Sequence, residues 1–367
     1  MTTRLAILGA TGSVGQQALE VVRAHPGALR VVAVQAKSRA AELGQIAGAH
    51  GARALLGEVG LDSFVTADDV DLVLVATPGI AGLVPTLAAL EAGKSVALAN
   101  KEVLLTGGHL VRAAAGGGAG ERFRPVDSEH CALWQCLAGE RMAEVTRVVL
   151  TASGGPFRDR PLADLARVTP EEALRHPTWR MGPKVTIDSA TLANKGYEVV
   201  EARWLYDLSY ERIDVVVHPQ SIVHALVEFA DGSLKAQLAA PDMRLPIQYA
   251  LLGGRHLAGP AARLDLIAVG SLDFRAVEPG RYPCLEVVLE TARSGELGAM
   301  VGLSAADELA VERFLGGALA FDRIADLLRR GADEGARLAG SRTPALEEVL
   351  AIDAGVRRAL SATAGVR

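Results

Sequence analysis

Aromatic residues are scarce in this chain, at 4% of 367 residues, and cysteine occurs only three times, as Cys131, Cys136 and Cys284. Three thiols at these spacings build neither a disulfide framework nor a zinc site, so a reducing, cytoplasmic setting is expected. Apolar runs of about 18 residues free of charge are missing, which argues against a transmembrane helix. The segment Met1–Ile7 leads straight into a strand pattern, without the basic and then apolar order of a secretory signal. Net charge is -5, so no surplus of positive charge points to nucleic acid or an anionic membrane as a partner. Any anionic ligand must be held by local groups.

What is abundant is aliphatic: half of the chain is hydrophobic. That composition and length predict two or three domains with sizeable cores. Leu5–Leu8, Val31–Ala36, Ala52–Leu56, Leu72–Ala76 and Ser95–Ala99 read as short buried strands. Helical patterns such as Val14–Ala24 and Ala81–Ala92 lie between several of them. This alternation predicts an α/β fold whose N-terminal part is a Rossmann-like, doubly wound parallel sheet, completed by Phe123–Val126. The runs Thr146–Thr151, Ile213–His218, Ile222–Phe229 and Leu234–Ala239 then predict a central α+β catalytic domain, with a hairpin at Asp231-Gly232. Leu285–Arg293, Ser304–Leu315, Ile324–Leu328 and Leu346–Leu360 predict a small C-terminal helical domain. The expected boundaries are 1–126, 127–256, a linker over 257–277, and 278–367.

Gly9-Ala10-Thr11-Gly12-Ser13-Val14-Gly15 follows the first strand and opens a helix. Glycines allow the backbone to approach a pyrophosphate, and the helix N-terminus supplies free N–H groups. The second strand ends in Lys37-Ser38-Arg39 rather than in a carboxylate. This favours a 2′-phosphate and so NADPH over NADH, although a solvated charge pair reads the same way. Asp127-Ser128-Glu129 follows the sixth strand. In an extended segment its two carboxylates share a face, and with Glu198 they offer an all-oxygen set suited to Mg²⁺ or Mn²⁺. His130 is left out as a core histidine.

The stretch from His176 to Pro183 is too rich in proline and glycine for a helix, yet it carries Trp179 and Met181. It reads either as a closing lid or as a loop plugging the core. Lys184–Ile187 reads as a strand, with Asp188 or Ser189 capping a long helix to Tyr206 and placing Ser189 at its positive end. On that helix Asn194 and Glu198 share a face, with Lys195 beside them. Thr151 to Pro156 adds a small turn around Ser153 suited to anion contact.

Taken in order, Gly9 to Gly15, Leu98-Ala-Asn-Lys-Glu102, Pro125 to His130, Ser153 to Arg158, His176 to Gly182, Asp188 to Gly196 and His218-Pro-Gln-Ser221 resemble the 1-deoxy-D-xylulose 5-phosphate reductoisomerase family over nearly the whole chain. The resemblance implies NADPH-dependent rearrangement and reduction of a sugar phosphate, 1-deoxy-D-xylulose 5-phosphate, to 2-C-methyl-D-erythritol 4-phosphate. It implies metal binding by Asp127, Glu129 and Glu198. A phosphate pocket would comprise Ser153, Ser189, Asn194 and Lys195 with His176 close by, and Lys101, Ser128 and Asn194 would touch substrate hydroxyls. Trp179 and Met181 would belong to a flap. The cofactor set would be Thr11, Gly12, Ser13, Val14, Lys37, Ser38, Asn100, Lys101, Glu102 and Gly182, with Glu102 near the nicotinamide. A homodimer is also implied. One departure is Ala36-Lys37-Ser38-Arg39, where the family often has glycine before the basic residue. Two other readings compete: a dehydrogenase of the aspartate-semialdehyde type, which needs a cysteine nucleophile, and a non-catalytic NADPH-binding sensor.

Overall fold

Side-chain alternation along the first strands fixes which way each residue faces, and both faces turn out to be apolar. The computed structural model describes residues 2–120, 122–340 and 343–362. Six strands, β1 (Thr3–Leu8), β2 (Leu29–Ala36), β3 (Arg53–Leu56), β4 (Leu72–Val75), β5 (Ser95–Leu98) and β6 (Phe123–Pro125), form an all-parallel sheet in the order β3-β2-β1-β4-β5-β6. Leu5, Ile7, Leu72 and Leu74 enter one apolar cluster, while Ala6, Leu8, Val73 and Val75 enter another. Burial on both faces is why these strands read as continuous apolar runs. Helices Ser13–Ala24 and Ala40–His50 cover the first face, and Leu83–Glu91 and Glu102–Ala115 the second. This is the Rossmann-like doubly wound arrangement that the sequence predicts.

The strand order reverses between β1 and β4, and the glycine-rich turn sits at that crevice. Gly9 has φ 82°, and a Cβ there would lie 2.6 Å from the carbonyl oxygen of Ala76. Only glycine lets this turn pass so close to the end of β4. The first turn of helix Ser13–Ala24 carries no acidic residue, so its positive end is left uncompensated.

A second, mixed sheet follows: β7 (Val145–Ala152), β8 (Ile213–Val217), β9 (Val223–Phe229), β10 (Leu234–Leu238) and β11 (Arg275–Ala276), in the order β10-β9-β7-β8-β11. Only β7 and β8 run parallel; the other pairs are antiparallel, with β9 and β10 forming the expected hairpin. Two details differ from the sequence reading. The stretch 257–277 is not a bare linker, since it holds helix Leu266–Val269 and contributes β11. Helix Arg244–Leu251 returns to the first sheet, where Ile247, Ala250 and Leu251 join its core and Arg244 Nη1 lies 3.1 Å from Glu20.

Four helices, Pro283–Ser294, Leu297–Leu315, Ile324–Ala339 and Leu346–Ala362, close the chain. The third was expected to end near Leu328 but continues to Ala339. Gly331 and Gly335 look like breakers in the sequence, yet they form a seam with Gly298 and Gly302 of the preceding helix. A Cβ on Gly302 would lie 2.1 Å from the Gly331 carbonyl oxygen, and one on Gly335 2.2 Å from that of Gly298. Each glycine weakens its own helix by about 1 kcal/mol, which the close contact between the helices offsets. Gly302→Val should therefore overpack the seam and lower stability by about 1–3 kcal/mol or more, read as a fall in the urea midpoint; an unmoved midpoint would show the helices free to separate.

Candidate active site

Asp127 leaves β6 and becomes the N-cap of helix Ser128–Leu137, its carboxylate accepting the Glu129 N–H at 3.2 Å. The two acids are thus brought together at a helix start, not in the extended segment that their spacing suggests. Opposite them stands helix Ala193–Tyr206, which buries Lys195, Glu198 and Glu201. Asn194 Nδ2 donates to Glu198 Oε1 at 2.6 Å, realising the expected i, i+4 pairing. Carboxylate oxygens of Asp127, Glu129 and Glu198 all lie within 4.8 Å of one another.

Two ammonium groups are threaded among these acids. Lys101 pairs with Asp127 and lies 3.6 Å from Glu198 and 3.9 Å from Glu201; Lys195 pairs with Glu198 and lies 3.2 Å from Glu129. Burial, and then the negative charge of Glu129, push the Glu198 carboxyl up to about 8. Burial pushes the Asp127 carboxyl up as well, but Lys101 prevails and holds it below the usual range. Burial likewise opposes the charge on Lys101, whose ammonium Asp127, Glu198 and Glu201 nevertheless hold well above an ordinary lysine. Two residues absent from the sequence reading support this centre from below. Buried His130 has Nε2 3.2 Å from Glu201. Glu201 lies one helical turn beyond Glu198, and that i, i+3 repeat of acids was the available signal.

The helix after the flap corrects a second expectation. Lys184–Ile187 is not a strand: Pro183–Thr191 is helical with proline in its first turn, and the run Val185-Thr186-Ile187 only mimics a strand. Leu192, at φ 55°, separates it from helix Ala193–Tyr206. Neither Asp188 nor Ser189 is an N-cap, so Ser189 has no positive helix end at its disposal. Instead its hydroxyl lies 3.1 Å from His176 Nε2, which is also 3.0 Å from Ser153 Oγ. Gly155, at φ 66°, makes this possible, since a Cβ there would sit 2.8 Å from the Ser189 carbonyl oxygen.

His176 Nδ1 accepts N–H groups from Thr178 at 3.2 Å and Trp179 at 2.8 Å. The ring proton therefore resides on Nε2, aimed at the two serine hydroxyls. Trp179 is half-buried, its ring 5.9 Å from that of His224, so it does not plug the core. The flap is also tied to the loop after β8, where Thr178 Oγ1 lies 3.3 Å from the hydroxyl of Ser221, a residue at φ 53°.

One cavity of about 190 Å³ joins these groups. Its wall runs from Ser13, Val14 and Gln17 past Lys101, Glu102 and Gly182 to Asp127, Ser128, Glu129 and Glu198, and it includes Ser153, His176, Trp179, Ser189, Asn194 and Lys195. Five residues of the expected cofactor set stand outside that wall: Thr11, Gly12, Lys37, Ser38 and Asn100. Asn100 is buried, its Nδ2 donating to Gly79 O at 2.8 Å and its Oδ1 accepting Val103 N–H at 3.1 Å, so it braces a loop and a helix start. Lys37 is exposed and 3.7 Å from Glu58. Cys131 and Cys136 are buried, with thiols pushed by burial up to about 12 and about 11. Buried thiols of this kind are poor nucleophiles, which disfavours the semialdehyde-dehydrogenase reading.

The chain matches the sequence profile of 1-deoxy-D-xylulose 5-phosphate reductoisomerase over residues 5–55 and 47–108, its C-terminal domain over 123–206, and the DXP reductoisomerase C-terminal domain over 238–359. It is 48% identical to the 1-deoxy-D-xylulose 5-phosphate reductoisomerase of Thermomicrobium roseum, over 96% of this chain and 95% of that protein. To that of Moorella thermoacetica it is 47% identical, over 99% of each. The chain belongs to the 1-deoxy-D-xylulose 5-phosphate reductoisomerase family. Solved reductoisomerases agree in fold. A DOX-P reductoisomerase in complex with NADPH, fosmidomycin and magnesium superposes with a TM-score of 0.89 at 36% identity, over 99% of this chain and 98% of that one. The Zymomonas mobilis reductoisomerase in complex with NADPH gives 0.88 at 34% identity, over 100% of both chains.

Burial, and then the Arg158 guanidinium, push the His176 imidazole down to about 4. Because the unfolded chain would protonate this ring near 6.5, its contribution to stability is intact above that pH and is lost as pH falls from there towards 4. Nitrogen NMR of the ligand-free protein should show a neutral, Nε2-protonated His176 down to about pH 5; titration near 6.5 would contradict the bonding described.

Proposed function

We propose that this chain converts 1-deoxy-D-xylulose 5-phosphate to 2-C-methyl-D-erythritol 4-phosphate by rearrangement and reduction, using NADPH and Mg²⁺ or Mn²⁺. The observation that carries this reading is a single cavity joining Ser13 and Val14, at the helix start after the glycine-rich turn, to three converging carboxylates. The donor set fits a hard divalent cation, because it is all oxygen, and burial followed by the charge of Glu129 already raises Glu198. The turn at Gly9 fits a pyrophosphate, with an uncompensated helix end beside it. A non-catalytic sensor is not favoured, since the acids, the two lysines and the anion-binding hydroxyls all converge.

Asp127, Glu129 and Glu198 are the ligands for the metal. When bound, the ion supplies Lewis-acid polarisation of substrate oxygens and NADPH supplies hydride. The remaining work belongs to the protein. Ser153, Ser189, Asn194, Lys195 and the Nε2–H of His176 grip the phosphate, remote from the reacting carbons, and so set their position. Lys101, Ser128 and Asn194 address the substrate hydroxyls. Trp179 and Met181 close the flap and keep water out. Ser13, Val14, Glu102 and Gly182 line the cofactor end, with Thr11, Gly12, Lys37, Ser38 and Asn100 completing that set.

This assigns residues 1–126 to the cofactor, 127–256 to chemistry and 278–367 to support, with 257–277 connecting them. A cytoplasmic homodimer completes the proposal. The edge strand β10 supports an interface there, since Leu234 stands 59% exposed. No helix among the described residues is long and apolar enough to cross a membrane.

NADPH absorbance should fall on adding 1-deoxy-D-xylulose 5-phosphate with Mn²⁺, stop with excess EDTA, and fall much less with NADH. Correctly folded protein that oxidises no NADPH would overturn the function. Glu198→Gln should cut turnover by about two to three orders of magnitude, the scale of a lost Lewis-acid contribution, while leaving NADPH affinity nearly intact. Unchanged turnover at saturating metal would remove Glu198 from the ligand set.

A further inference from the structure

A second buried charge cluster, distinct from the carboxylate centre, reaches the cavity wall through Glu102 and Asp188. Lys184, the second residue of the helix after the flap, has its Nζ 2.6 Å from Asp188, 2.6 Å from Asp307 and 3.1 Å from Glu102. The ammonium also sits 5.0 Å from the centroid of the Tyr197 ring. Asp188 and Asp307 are almost fully buried. Three regions of the chain meet here: Glu102 from the first sheet, Lys184 and Asp188 from the flap exit, and Asp307 from helix Leu297–Leu315. Burial alone would strip Lys184 of its proton, but Asp188, Asp307 and Glu102 hold the ammonium well above an ordinary lysine.

Sheet order places Glu102 in relation to the cofactor. The nucleotide turn follows β1, Glu102 follows β5, and Asp127 follows β6, while the strands run β1-β4-β5-β6 across the sheet. The nucleotide reading above, which puts Glu102 near the nicotinamide, brings the redox-active ring of a dinucleotide extending from the turn towards the carboxylate centre to that residue. That ring is neutral in NADPH and cationic in NADP⁺. The charge felt at Glu102 therefore discriminates between the two forms, and Lys184 and Asp307 set that charge without belonging to the metal centre.

We propose that Lys184 and Asp307 are positioning residues that set the balance of affinity between reduced and oxidised nicotinamide. Lys184 offsets the negative charge of Glu102, which disfavours retention of NADP⁺ after hydride transfer, while Asp307 restrains Lys184 and tempers its effect. This rests on the nucleotide reading above. A merely structural role would make loss of either residue weaken both nucleotides alike. The electrostatic role makes the two losses act with opposite sign.

Dissociation constants for NADPH and NADP⁺ are to be measured by fluorescence at pH 8 on the full chain without substrate, with folding checked by circular dichroism. Lys184→Met should raise the ratio Kd(NADPH)/Kd(NADP⁺) about fivefold or more, as expected for one charge removed close to the ring. Lys184→Arg should restore it, and Asp307→Asn should lower the ratio. Should Lys184→Met fail to fold, Asp307→Asn decides alone. An unchanged ratio in Asp307→Asn, or a shift in the same direction as Lys184→Met, overturns the proposal. Wild-type protein that binds NADPH but does not act on 1-deoxy-D-xylulose 5-phosphate would overturn the function and leave this test standing; failure to bind either nucleotide would overturn both.

Discussion

Bringing four carboxylates into one water-poor pocket is electrostatically costly, and much of the architecture serves to make it tolerable. Asp127, Glu129, Glu198 and Glu201 face one another with only Lys101, Lys195 and the imidazole of His130 between them. Burying such charges costs several kcal/mol per ion before compensation. A loop could relax and let the acids drift apart. Here they start one helix and line another, and both helices are held in the core, so the repulsion is stored and not dissipated. The acids outnumber the two lysines, so a dication added beside the lysines would offset negative charge that they leave, and the raised Glu198 carboxyl reflects that excess together with its burial.

The anion-binding side of the cavity solves the opposite problem. Phosphate carries charge of the same sign as the carboxylates, and Asn194 and Lys195 bridge the two regions. The structure keeps His176 neutral by burial and by Arg158, and directs its single ring proton toward Ser153 and Ser189. Neutral donors do most of the work of orientation, so the ammonium of Lys195 stays partly committed to Glu129 and Glu198. In the proposed reaction this arrangement would position a phosphate without drawing the cationic charge away from the carboxylate centre.

Legibility in the sequence followed the range of the interaction. The parallel sheet was readable because burial on both faces leaves unbroken apolar runs, and the i, i+4 pair Asn194–Glu198 because one turn of helix decides it. Helix Pro183–Thr191 was misread since its β-branched triplet satisfies a strand pattern, and its helical state is set by Pro183 and by packing on Ser153–Gly155. Helix Ile324–Ala339 runs past the expected Leu328 because Gly331 and Gly335, weak helix formers by themselves, are held by the partner helix. Glu201, His130, Lys184 and Asp307 were invisible as site residues, for each gains its meaning from groups far away in the chain.

Asp307 illustrates how far that dependence reaches. Its helix also carries Gly298 and Gly302, which nest against Gly331 and Gly335. The depth at which the helix sits is therefore set by contacts on one side, while its other side presents Asp307 to Lys184. A side chain in the seam would push this helix and the Asp307 carboxylate it carries away from their present place beside Lys184. The C-terminal helices are thus not a detached support: through one carboxylate they fix the lysine at the end of the flap, and through it the acid beside the cofactor. Packing density in a region without ligand contacts becomes a determinant of charge placement in the active site.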